Sequence, residues 1–103
     1  MKAVINRCFG GFGLSEKAAK WLGLKWDNFG FFHYIEYDNG HHHRDDPRLI
    51  ACVEALKEEA NGDFADLEIV EFPDGISWYI DEYDGIECVR ERGHMWPPEE
   101  DHL

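Results

Sequence analysis

Four groups of residues in this chain of 103 amino acids are of types that could do chemistry. Cys8 and His33 could act as nucleophile and base, with Asp27 or Asp38 orienting the imidazole, if the strands that carry them were neighbours. A thiol at the end of a strand and before an aromatic is more often a small buried hydrophobe, so no catalytic residue is assigned and these two stand only as candidates. The turn Gly10-Gly11-Phe12-Gly13-Leu14-Ser15 lies between a strand and a helix, where backbone amides at Gly10, Gly11, Gly13 and Ser15 could hold an anion. A dinucleotide fingerprint would need glycine where Glu16 stands, and a phosphate loop would need lysine where Leu14 stands, so ordinary turn glycines are expected. His41 and His43 would point the same way on an extended chain and could ligate a metal. Neither paired cysteines nor a second histidine one helical turn away accompanies them, so no metal and no cofactor are expected.

Carboxylates form the fourth group, and their distribution is uneven. Residues 1–44 hold six Lys/Arg against four Asp/Glu, and residues 45–103 hold four against eighteen, giving +2 and −14 and the net charge of −12. A field of that sign repels nucleic acid and anionic membranes and attracts cationic protein surfaces. The acids Glu68, Glu71, Asp81, Glu82, Asp84, Glu87 and Glu91 are expected to line an antiparallel meander. Same-face positions on a strand repeat at about 7 Å, near the phosphate spacing of a DNA strand, so the meander could mimic a polyanion. The plainer reading is a solvated surface that keeps a small protein soluble. Paired carboxylates for glycoside chemistry would need a cleft and desolvation, which solvated hairpin acids lack. Trp96, placed after the last expected strand, is the candidate for an exposed aromatic anchor.

The elements that must carry these residues follow from composition and pattern. Hydrophobic residues make up 44% of the chain and aromatics 15%, enough for one folded core and far from disordered composition. Cys8, Cys52 and Cys88 are an odd number at wide spacing and are expected as reduced thiols in a cytoplasmic protein. No run of apolar residues is long enough to span a membrane or to form the core of a signal peptide. A first strand is expected over residues 2–8 and a short helix after Ser15, ending at Gly23. Phe29 to Tyr37 reads as a second strand, and 38–45 as a polar loop. Asp46 and Pro47 then open a helix whose apolar residues Leu49, Ile50, Val53, Leu56 and Ala60 recur at three and four, up to Asn61-Gly62. Strands are expected over 67–72, 76–81 and 86–91, joined by turns at Pro73-Asp74-Gly75 and at Tyr83-Asp84-Gly85, with the first two forming a hairpin.

The blocks Ile5-Asn6-Arg7-Cys8-Phe9-Gly10-Gly11-Phe12, Asp46-Pro47 and Trp78-Tyr79-Ile80-Asp81-Glu82-Tyr83-Asp84-Gly85-Ile86-Glu87 occur in that order. With this spacing the chain resembles, over most of its length, a family of small uncharacterised proteins of bacteriophages and prophages. The family tends to close with a basic residue and Trp, where this chain has His94-Met95-Trp96, and the histidine run is not one of its traits. The resemblance implies a phage origin and a fold, and assigns no catalytic residue.

The expectation is therefore one α+β domain over residues 1–93, with an acidic, proline-containing tail over 94–103. Its mainly antiparallel sheet would form a single layer with two helices on one face, in the order β-α-β-α-β-β-β. The expected function is binding: a small acidic protein that occupies a cationic surface of a host protein, as a nucleic-acid mimic or an inhibitor of a defence factor. It would not bind nucleic acid or membrane directly. Two alternatives stand beside it. One is a small enzyme or anion-binding domain using Cys8, the Gly10–Gly13 turn and His33; the other is a structural homo-oligomer, of which a homodimer is the simplest form.

Overall fold

The computed structural model describes residues 1–24 and 43–97, and within them two helices and five strands make an α+β fold. Strand β1 (Lys2–Asn6) pairs antiparallel with β2 (Leu67–Glu71), Val4 standing opposite Ile69 and Ala3 opposite Val70. Alternate side chains of this ribbon leave on opposite faces. Val4, Leu67 and Ile69 pack with the helices, and Ala3, Ile5 and Val70 pack with the remaining strands. Because both faces are covered, Ala3 to Ile5 read as a continuous apolar run without alternation.

Helix α1 (Glu16–Leu22) starts where the Ser15 hydroxyl accepts from the Ala18 amide at 3.0 Å, and it ends in the left-handed Gly23. Helix α2 (Pro47–Leu56) is capped by Asp46, whose carboxylate accepts from the Arg48 amide at 2.8 Å, with Pro47 at the first helical position. The α-helix stops at Leu56, earlier than its apolar pattern suggests. Lys57 takes φ 55, and the chain tightens into a 3₁₀ turn, Lys57–Ala60, that still buries Ala60. Leu49, Cys52 and Val53 of α2 meet Ala18 of α1, Phe12 and Leu14 above the ribbon.

Strands β3 (Tyr79–Tyr83), β4 (Ile86–Glu91) and β5 (His94–Trp96) form an antiparallel meander in that spatial order. Ile80 and Val89 of its inner face pack with Ala3, Ile5, Val70 and Phe72, and Phe72 also meets Trp78 and Trp96 at ring-centroid distances of 5.2 and 6.0 Å. An isolated bridge between Arg7 and Ile86 ties the end of β1 to the start of β4.

Three expectations are corrected. The strands form a two-stranded and a three-stranded sheet instead of one layer. The hairpin expected across Pro73-Asp74-Gly75 does not form, because β2 takes β1 as its partner. Phe72 and Met1 exchange backbone hydrogen bonds of 2.9 and 2.8 Å at the end of that ladder, and the Met1 amino group pairs with Asp74. The chain from 94 does not begin as a tail: His94–Trp96 returns along β4 after a turn at Gly93, φ 82. The strand expected over Phe29 to Tyr37, and with it His33 and His41, lies outside the described residues.

Candidate functional site

Asn6, at the end of β1, is fully buried and holds several chain segments together. Its side-chain amide donates to the Cys8 carbonyl at 2.7 Å and the Gly85 carbonyl at 2.6 Å, and its Oδ1 accepts from the Asp66 amide at 2.7 Å. Its own backbone amide donates to Glu87 Oε1 at 2.7 Å. A fifth segment joins through Arg44, which is 0% exposed and donates to both carboxylate oxygens of Glu87, at 2.7 and 3.0 Å. The Arg44 guanidinium also lies 3.7 Å from the centroid of the Phe12 ring, and Arg7 donates to the Glu87 carbonyl at 2.7 Å. Buried charge persists only when paired and hydrogen-bonded, and here it is.

This network draws the 8–13 loop, the 62–66 loop and the β3–β4 turn together beyond the end of β1. Gly10 passes so close to Phe64 that a Cβ there would fall 1.8 Å from the Phe64 carbonyl oxygen. Gly85, with φ 91, also approaches Gly11 and Phe9 closely, a Cβ falling 2.6 Å from the Gly11 nitrogen. Each of the three segments leaves an aromatic in solvent: Phe9 at 71%, Phe64 at 76% and Tyr83 at 75% exposure. Asp63 and Asp66 flank Phe64, Glu82 and Asp84 flank Tyr83, and all four are exposed. Phe9 and Tyr83 also border a groove of about 480 Å³ on the outer face of the meander, together with Ile86, Cys88, Arg90 and Met95.

The expected acidic row is not continuous. Glu87 is 2% exposed and serves the core, where Arg44 balances it. Asp81 is neutralised by Arg90 at 2.7 Å. Glu68 and Glu71 belong to the ribbon and leave it on opposite faces, Glu68 across from Ile5 and Glu71 across from Lys2. Glu82 and Asp84 remain exposed at the hairpin tip, where Glu82 accepts from the Gly85 amide at 2.6 Å, and Glu91 is half-buried beside the next turn. Trp96 is half-buried against Phe72 and stacked with His94 at 6.0 Å, so it belongs to the inner cluster and is not an exposed anchor.

The glycine turn serves chain crossing. The Ser15 amide donates to the Ala60 carbonyl at 3.0 Å and its hydroxyl to the Glu59 carbonyl at 2.6 Å, so neither is turned to a ligand. A hollow of about 250 Å³ beside Gly10 and Gly11 is lined by Phe9, Phe12, Glu82, Gly85 and Glu87 and, among the described residues, by no Lys, Arg or His, a setting unfavourable to an anion. Gly13 takes the Gly62 amide on its carbonyl at 2.9 Å. The Cys8 thiol donates to the Phe64 carbonyl at 3.1 Å. His43 is exposed at φ 61 in the turn before α2, and among the described residues no group of His, Cys, Asp and Glu is placed to hold a metal. Burial pushes the Cys52 thiol up to about 11, and burial likewise raises the Cys88 thiol, so neither is an activated nucleophile. No helix among the described residues is long and apolar enough to cross a membrane.

Sequence reasoning missed Asn6, Arg44, Phe9 and Phe64. Phe9 and Phe64 could have been found as aromatics set in a glycine-rich and an acidic loop, outside the expected strands and helices. Nothing local distinguishes Arg44 from the polar residues around it. Comparison of the chain with protein-family models, with curated proteins and with solved structures returns no match.

Proposed function

We propose that this chain is a small acidic binding protein that docks a cationic surface of another protein at the end of the molecule carrying Phe9, Phe64 and Tyr83. The observation that carries the reading is the exposure of these three aromatics on the segments that Asn6 and the Gly10 and Gly85 approaches bring together, each with exposed carboxylates close to it in sequence, Asp63, Asp66, Glu82 and Asp84. Aromatic anchors inside a polar rim are the composition of binding hot spots, and a net charge of −12 steers a basic partner towards them. Lysine or arginine side chains of the partner would find ring faces and carboxylates together. The resemblance to phage proteins favours a partner in the host cell. Mimicry of nucleic acid along the meander is the weaker form of the idea, because Glu87 and Asp81 are already balanced and Glu68 and Glu71 diverge.

The test is capture of basic proteins from a host lysate on immobilised chain at low and high salt, repeated with a Phe9→Ala, Phe64→Ala, Tyr83→Ala variant. A specific partner should bind at low salt, weaken as charges are screened, and be lost from the variant. Equal capture by wild type and variant overturns the assignment of this end, and no salt-sensitive partner at all overturns the reading.

A further inference from the structure

We propose that the partner engages this end as an extended basic segment that adds a strand to the outer edge of β3. The proposal rests on the binding reading above and names its geometry. In the sheet order β3-β4-β5, β3 is an edge, and among the described strands β4 is its only neighbour. Four of its five residues are exposed.

The register shows which backbone groups face outwards. Asp84 at φ 53 and Gly85 at φ 91 form a two-residue turn of the type with both central residues left-handed, which makes Tyr83 and Ile86 the closing hydrogen-bonded pair. Antiparallel ladders alternate, so Tyr83, Asp81 and Tyr79 direct their amides and carbonyls to β4, and Ile80 and Glu82 direct theirs to the open edge. A segment pairing with Ile80 and Glu82 would run alongside Tyr79 and Tyr83, which are 56% and 75% exposed, and Tyr83 borders with Phe9 the groove on the outer face of the meander.

Charge selects the occupant. An open edge normally carries lysine, proline or a bulge to stop other chains from adding to it. Here it carries Glu82, with Asp84 in the turn beside it and Asp81 held by Arg90, so a second copy of this acidic strand would bring like charge against it. The same acids favour a strand bearing lysine or arginine. With a net charge of −12 on the chain, the edge thus favours a cationic segment over a second copy.

Amide hydrogen exchange by NMR, on the full chain, tests this with a short acetylated peptide alternating lysine and valine as the probe. In the free protein the Ile80 and Glu82 amides should exchange fast and those of Asp81 and Tyr83 slowly. Peptide at about ten times its dissociation constant should slow Ile80 and Glu82 about tenfold. The same peptide N-methylated at alternate residues keeps its charge, and it should bind at least about tenfold more weakly, since it loses the bonds that add a strand. If the probe binds without slowing Ile80 and Glu82, the edge is not the site, and loss of that binding from the Phe9→Ala, Phe64→Ala, Tyr83→Ala variant would keep the aromatic end as the site without the added strand. If those amides are already slow in the free protein, the edge is filled by the chain itself or, where the effect depends on concentration, by a second copy, and the proposal falls. If no cationic probe or protein binds at all, the functional reading falls with it.

Discussion

Arg44 and Glu87, 43 residues apart, meet as a two-point ion pair in the interior, at 0% and 2% exposure. The pair sits where β1, the 43–46 turn and β4 converge, and Glu87 also takes the Asn6 amide. It therefore fixes how the ribbon and the meander stand against each other, with little contribution to surface charge.

Removing either partner should leave an uncompensated buried charge. Glu87→Ala or Arg44→Met is expected to cost about 3–5 kcal/mol in urea unfolding. The double variant Arg44→Met, Glu87→Met should be less damaged than the sum of the two, retaining about 1–2 kcal/mol of loss from the Asn6 amide left without its acceptor. Strict additivity would show that the pair does not act as a unit.

Gly85 and Gly75 both have left-handed backbone, at φ 91 and φ 80, but only Gly85 is crowded. Gly75→Ala meets no atom within 4 Å, so it should cost only the conformational strain, about 1 kcal/mol. Gly85→Ala adds a clash with the backbone of Phe9 and Gly11 and should cost several times as much, with the loss visible in the thermal midpoint. Equal costs would mean that the 8–13 loop does not lie against the hairpin tip.

The elements that announce themselves in the sequence are those with local causes. Asp46-Pro47 and a three-four repeat mark α2 without reference to the rest of the chain, and Tyr83-Asp84-Gly85-Ile86 carries the turn chemistry of the β3–β4 hairpin. The pairing of β1 with β2 has no such mark, because Ile5 finds Glu68 across the whole of the helical segment. Strand β5 is too short for alternation to show, and the prolines and acids that follow it dominate that stretch. The candidate site was legible only at its hairpin side. Glu87 alternates with Ile86 and Cys88 as a solvated acid would, and only a buried cation from a distant turn makes it a core residue. The 8–13 loop meets Phe64 because Gly10 permits the crossing, a contact between loops that no periodicity encodes.

The cysteines should separate by burial. Cys52 and Cys88 are buried and Cys8 is half-buried, so a thiol reagent near neutral pH should modify Cys8 alone in the folded protein and all three in urea. Cys52 also links stability to alkaline pH. Its folded value, about 11, lies above the ordinary thiol value of 9.0, so between these the unfolded chain has lost a proton that the folded chain keeps. The contribution is complete below about pH 9 and declines as pH rises towards 11. Cys52→Ala should flatten that decline, though not abolish it, since Cys88 is shifted the same way. An unchanged slope would place the Cys52 thiol in contact with water.

Trp96 and Phe64 offer the sharpest contrast between a packed aromatic and a presented one. Trp96 lies 6.0 Å from Phe72 within the cluster that joins the ribbon to the meander, so Trp96→Ala should cost about 3 kcal/mol and loosen β5 against β4. Phe64, at 76% exposure, touches little of the core, and Phe64→Ala should leave stability within about 0.5 kcal/mol of wild type. Were Phe64 an anchor for a cationic partner, the same variant should lose about 2 kcal/mol of binding energy, close to thirtyfold in Kd. Urea unfolding and titration with the captured partner, run on both variants, read the two effects separately. A Phe64 variant that binds as wild type while unfolding early would mean that the exposed ring supports the 62–66 loop and is not offered to another protein.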